Sequence, residues 1–218
     1  MRIVSLIVLM LVSAVAQAHG QARKADFSED AVGQPPKAFE FGHTAKVGNP
    51  GKWVVQAEGT NKFLAQLDAD RTGSRFPVAV LADIRAVNVD LSVRFRPMSG
   101  QIDQAAGLVW RFQNEDNYYI VRANAREDNV VLYKVQNGRR TDLPVKGEGR
   151  TYGTPSKVPS GQWGTLRLVA KGPLFEVYHN GSKLYEVEDT TFTQAGKVGV
   201  WTKADSVTYF DDLTVVTQ

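Results

Sequence analysis

Cysteine is absent from the 218 residues, so there is no disulfide framework and no thiolate chemistry, and stability has to come from a packed core. Histidine is scarce: His19, His43 and His179 stand far apart with no ligand-spaced neighbour, which argues against a zinc site. No basic run exceeds two residues (Arg139-Arg140 is typical), and the cations are interspersed with acids to a formal net charge of +3. A nucleic-acid partner is therefore not expected. There is no G-x-S-x-G elbow, no P-loop and no helical period of any length. Asp68, Asp70 and Gly73 fit three positions of a calcium loop, but Ala79 stands where a bidentate Glu belongs, which excludes an EF-hand.

One long apolar run is present, at the start. Arg2 followed by Ile3 to Val15 and by Ala16-Gln17-Ala18 has the three parts of a secretory signal, charged, apolar and A-x-A. The run is short for a membrane span, and polar sequence follows at once. Residues 1–18 are therefore expected to be a signal peptide and 19–218 one exported domain, periplasmic or extracellular, with no membrane span. Loss of Arg2 would leave a net charge of +2.

The rest reads as short strands. Val87 to Phe95 alternates apolar and polar residues with a period of two. Four further strands are expected at 107–112, 118–124, 129–135 and 139–143. With Asn137-Gly138 as a type I′ tip, Val135 faces Arg140, Tyr133 faces Asp142 and Leu132 faces Leu143. Pairing Ala123 with Val130 places Val121 opposite Leu132. Pairing Phe112 with Tyr119 places Trp110 opposite Val121. One face of this meander is then wholly apolar. The other collects Arg111, Tyr118, Arg122, Asn124, Tyr133, Arg140 and Asp142, either a hydrogen-bonding platform or a solvated exterior. A three-residue tip at Asn180-Gly181-Ser182 pairs Val177 with Tyr185 and Phe175 with Val187, leaving Glu176, Glu186 and Glu188 on the opposite face. Phe27 is expected to pack at one end, and 147–161, rich in Gly, Pro, Ser and Thr, to be a long surface loop. About twelve strands at this spacing predict an all-β antiparallel sandwich, a jelly roll of two curved sheets.

Two stretches are more specific. They are Trp163 with Leu166-Arg167-Leu168, Gly172, Phe175, Val177-Tyr178, Asn180-Gly181 and Leu184, and Gly196 to Thr202 with Phe210-Asp211-Asp212-Leu213. Together with Gly107 to Phe112 and Asn117-Tyr118-Tyr119, they resemble the concanavalin A-like lectin/glucanase superfamily, within it laminin-G-like and 3-keto-disaccharide hydrolase-like domains. The resemblance spans about residues 25–217. It implies a jelly roll that often binds glycans on its concave face, with a structural Ca²⁺ in some relatives, for which Asp211 and Asp212 are the candidates here. The catalytic E-x-D-x-E of its glucanases is not reproduced; Glu186-Val187-Glu188-Asp189 comes nearest.

The preferred reading is a non-catalytic carbohydrate-binding domain. Its site residues would be Arg111, Tyr118, Arg122, Asn124, Tyr133, Asp142 and Trp201, the arginines donating to hydroxyls or a uronate and the aromatic rings stacking on sugars. Arg122 should then be replaceable without loss of stability. Trp201 either points outward beside Gly199 or packs under the 147–161 loop. A hydrolase acting on a (3-keto-)disaccharide would use Glu186, Glu188 or Asp142 as acids. A protein-interaction or envelope-structural domain without a sugar ligand is the third possibility.

Overall fold

The computed structural model describes residues 22–218, so the expected signal peptide lies outside the described residues. The sandwich is as expected, with sixteen strands rather than about twelve. Sheet A contains β1 (Ala22–Ala25), β3 (Trp53–Glu58), β4 (Asn61–Gln66), β6 (Val89–Ser99), β12 (Gly164–Lys171), β13 (Leu174–His179), β14 (Ser182–Glu188) and β16 (Val207–Thr217). Its order is β14-β13-β12-β6-β16-β4-β3, with β1 also on β16. Sheet B contains β2 (Phe39–His43), β5 (Pro77–Leu81), β7 (Ala105–Asn114), β8 (Asn117–Asn124), β9 (Asn129–Gln136), β10 (Arg139–Asp142), β11 (Thr154–Pro155) and β15 (Lys197–Trp201). Its order is β10-β9-β8-β7-β15-β5-β2, with β11 also on β9. A three-residue 3-10 turn, Thr44–Lys46, is the one helical element among the described residues.

The core between the sheets follows the period of two. Val89, Leu91, Val93 and Phe95 of β6 are inside, as are Leu108 and Trp110 of β7 and Tyr119, Val121 and Ala123 of β8. Trp110 stacks on Tyr119 (5.2 Å between centroids) and meets the edge of Phe175 at 5.2 Å. Phe27 is buried against Phe39 at the end of the sandwich, 5.8 Å between centroids.

Two hairpin tips use paired positive φ, as type I′ turns require. Asn137 and Gly138 have φ of 52° and 76°, Asn180 and Gly181 of 49° and 81°. The first fixes Val135 opposite Arg140 and Tyr133 opposite Asp142. The second is a two-residue tip rather than the expected three. A register shift between Val177 and Tyr178 supplies the missing step, so Val177 still faces Tyr185 and Phe175 faces Val187.

The β7–β8 register differs from expectation by two residues: Trp110 pairs with Tyr119, Leu108 with Val121 and Ala106 with Ala123. A bulge spanning Arg111 to Gln113 absorbs the slip, with Arg111 at φ 47°. A slip of two keeps Trp110 and Leu108 facing inward. The bulge also reverses its own residues. Phe112 turns to the outer face beside Tyr118, 5.5 Å between centroids. Arg111 turns to the end of the core, over the ring of Phe175 at 5.3 Å.

At Gly107 the sheet is approached closely from outside. A Cβ there would lie 2.5 Å from Ile120 Cδ1, 2.9 Å from the Val121 carbonyl oxygen and 3.3 Å from the Trp201 ring. Gly107→Ala is therefore expected to destabilise the fold by about 1–3 kcal/mol. Gly73→Ala, where a Cβ would meet nothing within 4 Å, should be close to neutral. Urea unfolding of the two variants side by side measures this; equal midpoints would show that the outer face is loosely packed at Gly107.

Candidate functional site

The outer face of sheet B is not the open polar surface expected from the sequence. Val78, Val80, Val109, Ile120, Val131 and Val135 form a second apolar layer there, each at most 2% exposed. The larger side chains of the same face cover it. Trp201, expected either to point outward or to pack under the 147–161 loop, is fully buried, as the second alternative requires, with Phe76 as its cover. Phe76 stacks on it at 5.4 Å, and its Nε1 donates to the Tyr118 hydroxyl at 3.2 Å. Tyr118 is also fully buried and shares a 2.7 Å hydrogen bond with Thr44. Burial pushes its phenol up to about 12. Trp201 and Tyr118 thus form the floor of the site, beneath its surface.

Arg122 and Asn124 belong to a buried network at one end of β8. The Arg122 side chain is wholly unexposed. Its Nη2 donates to Glu127 at 2.9 Å and Asn129 at 2.7 Å, and its Nη1 donates to Glu127 at 3.2 Å. Asn124 Nδ2 donates to Asp103 at 2.6 Å and to Glu127 at 3.1 Å. Lys203 pairs with the same Asp103. Burial raises the Glu127 carboxyl, but hydrogen bonds and charge from Arg122 outweigh it and hold the group below its usual range. Arg122 is therefore a structural member of the face, contrary to the expectation that it could be removed freely.

Nearer the β9–β10 hairpin, the surface opens. The Arg140 guanidinium lies over three rings, 4.4 Å from the centroid of Tyr133, 4.8 Å from Phe76 and 5.7 Å from Trp201. Beside it is a groove of about 390 Å³, bounded by Val47, Ser74 and Phe76 on one side and Gly138 to Arg140 on the other. Tyr133 donates to the Tyr152 hydroxyl at 3.0 Å, and Tyr152 is 42% exposed. Asp142 accepts two hydrogen bonds from Arg150, at 2.7 and 2.5 Å, which hold its carboxyl below the usual range. The 147–161 segment is thus partly ordered against this face. β11 pairs with the first residues of β9, and the preceding turn, with φ 57° at Tyr152 and 72° at Gly153, places Tyr152 over Tyr133.

The remaining residues singled out from the sequence lie elsewhere. Arg111 donates to the carbonyls of Val87 (2.9 Å), Phe192 (2.8 Å) and Gly172 (2.5 Å), tying three loops together at the end of the core. It cannot join a site on the outer face. Glu186 and Glu188 lie on the outer face of sheet A, paired with Lys183 (2.6 Å) and Lys146 (3.3 Å), whereas Asp142 lies on sheet B. Glu186 and Glu188 thus share one face of β14, and Asp142 belongs to the other sheet. Asp211 accepts from Asn61 at 3.1 Å, and Asp212 pairs with Lys24 at 2.8 Å and Arg94 at 3.4 Å. Among the described residues no group of three or more acids and histidines is placed to hold a metal ion. Asp68, from the rejected calcium loop, pairs with the buried Arg75 at 3.0 Å. Arg140 follows from the hairpin register, diagonal to Tyr133, but Phe76 and Tyr152 come from loops whose sequences carry no period.

No family model matches the chain, and no curated protein matches it. Solved structures do. A carbohydrate-binding module, CBM66, from Bacillus subtilis is 17% identical over 83% of this chain and 96% of its own, with a TM-score of 0.61. Domain 4 of AbnA, a GH43 extracellular arabinanase from Geobacillus stearothermophilus determined with arabinotriose, is 14% identical over 91% and 93%, with a TM-score of 0.58. The cellulose-induced protein Cip1 is 10% identical over 90% and 97%, with a TM-score of 0.61. The fold they share with this chain is the galectin-like, concanavalin A-like β-sandwich. Among the described residues no helix is long and apolar enough to cross a membrane.

Arg122→Ala removes charged hydrogen bonds and should lower stability at pH 7 by about 2 kcal/mol. The folded pKa of Glu127 is depressed, so its share of the stability is present above about pH 4.3 and is lost as pH falls through the folded value. The gap between wild type and variant should therefore shrink in acid. Denaturant unfolding from pH 7 to pH 3 reads both effects; a gap that stays constant would detach Glu127 from Arg122.

Proposed function

We propose that the chain is an exported domain that binds a glycan at the β9–β10 end of sheet B's outer face without cleaving it. The observation that carries this reading is the Arg140 guanidinium, held over Tyr133, Phe76 and Trp201 at the edge of the groove, with exposed Tyr152 alongside. A sugar presents hydroxyls at its rim and C–H groups on its faces. An arginine edge next to an exposed phenol ring meets both. Two of the similar structures support the reading, one a carbohydrate-binding module and the other an arabinanase domain bound to arabinotriose.

In this reading Arg140 and Tyr152 contact the sugar, Tyr133, 2% exposed, lies beneath them, and the Asp142–Arg150 pair forms the rim. Tyr118 and Trp201 brace the rings from below, and Arg122 and Asn124 anchor the strand ends. Glu186 and Glu188 take no part, because they lie on the other sheet, each matched to a lysine. Export is supported by the signal-like composition of residues 1–18.

Screening the protein on a glycan array with and without Ca²⁺, then incubating each hit and analysing for products, tests binding and cleavage together. The expected outcome is a retained glycan and no product. Tyr152→Ala should weaken retention about tenfold, equivalent to ~1.4 kcal/mol, while leaving the melting temperature unchanged. Undiminished binding by this variant would move the site off sheet B, and released product would make the protein an enzyme.

A further inference from the structure

The cations on the outer face of sheet B differ in one respect. Arg122 is matched to Glu127, Arg150 to Asp142, Lys203 to Asp103 and Arg75 to Asp68. Arg139 and Arg140, adjacent on β10, have no ion-pair partner among the described residues, and the residues lining their groove include no acid. Nη1 of Arg140 is buried and has no hydrogen-bond acceptor. A protonated guanidinium with an orphaned buried N–H is costly. Arg75 and Arg122 also leave one buried N–H without an acceptor, but each of those guanidiniums has a carboxylate of the chain beside it to balance its charge, and Arg140 has none.

We infer that the sugar taken at this groove is anionic, carrying a carboxylate or a sulfate ester. This rests on the glycan-binding reading and names the chemistry of its ligand. The Arg140 Cζ lies over the rings of Tyr133, Phe76 and Trp201, which leaves the N–H groups turned away from those rings as the part that can still bond. Two oxygens of one anion match that edge as a fork, a match a sugar hydroxyl cannot make. Arg139, exposed and unpaired on the next residue, adds a second positive charge at the mouth. Because Nη1 faces protein, reaching it takes a side-chain rotation of Arg140.

The test measures binding of three oligosaccharide sets by calorimetry at 50 and 500 mM NaCl: oligogalacturonates for the carboxylate, heparin-derived oligosaccharides for the sulfate, and neutral arabino-oligosaccharides. The expected result is at least tenfold tighter binding of one anionic set than of the neutral set, weakening tenfold or more with salt. Arg140→Gln and Arg139→Gln should each erase the preference. Arg139 is exposed, so its variant reads the charge even if Arg140→Gln proves unstable. Whichever anionic set wins identifies the acidic group. Neutral sugars binding equally well, salt-independently and with sensitivity to Tyr152→Ala, would overturn the anionic inference and leave glycan binding standing. Failure of all three sets together with a blank array would overturn both.

Discussion

Sheet B is covered on both faces, and much of the molecule follows from that constraint. A sheet with one wet face can place arginines and tyrosines there at no cost. A sheet buried on both sides must either match such groups or exclude them. Its central strands accordingly carry near-continuous apolar runs, Ala105 to Trp110 on β7 and Tyr118 to Val121 on β8. Gly107 lets the Trp201 indole lie down on the sheet. The polar residues that remain, Arg122, Asn124 and Asp103, are joined in one network. Where the cover thins, around the β9–β10 hairpin, an arginine is left stacked but unmatched.

This arrangement separates the stability of the face from its capacity to bind. The rings under Arg140 are fixed by partners beneath them: Trp201 by Tyr118, Tyr118 by Thr44. A guanidinium resting on rings that are themselves locked loses less freedom when it captures a ligand than one on a mobile stem. The groups proposed to bind thus come from short segments, a hairpin and two loops, set on this braced scaffold.

Much of this fold was legible in the amino-acid sequence. The Asn137-Gly138 and Asn180-Gly181 pairs, apolar periodicity in β6 and the inward set on β7 to β9 all specify local geometry, and each is present. The β7 register was not, because a bulge at Arg111 has no composition of its own. Its two-residue slip kept the faces of Trp110 and Leu108 and reversed only Arg111 and Phe112. β1, β2 and β11 were also invisible, being short, polar or interrupted by Gly42 and Pro155. The candidate site was harder for a different reason. Arginine, tyrosine and tryptophan carry apolar bodies and polar tips, so their pattern on a strand is the same whether the face is wet or roofed by loops. Only the cover, Phe76 and Tyr152 from segments distant in sequence, decides between the two.

The main strand orders end at β14 and β3 on one sheet and at β10 and β2 on the other, β3 being met by the backbone of Gly33 and Gln34 and β14 by that of Lys146. Unpaired backbone along such borders is where one sandwich joins another into a continuous sheet. Here β10 has four residues, two of them arginine, and β2 has five, including Glu40 and Gly42. β14 carries Lys183, Glu186 and Glu188, and β3 ends in a glutamate. Short length and charge make strand-to-strand polymerisation unfavourable. A second copy brought edge to edge at β14 would set glutamates against glutamates, and like charge opposes that pairing.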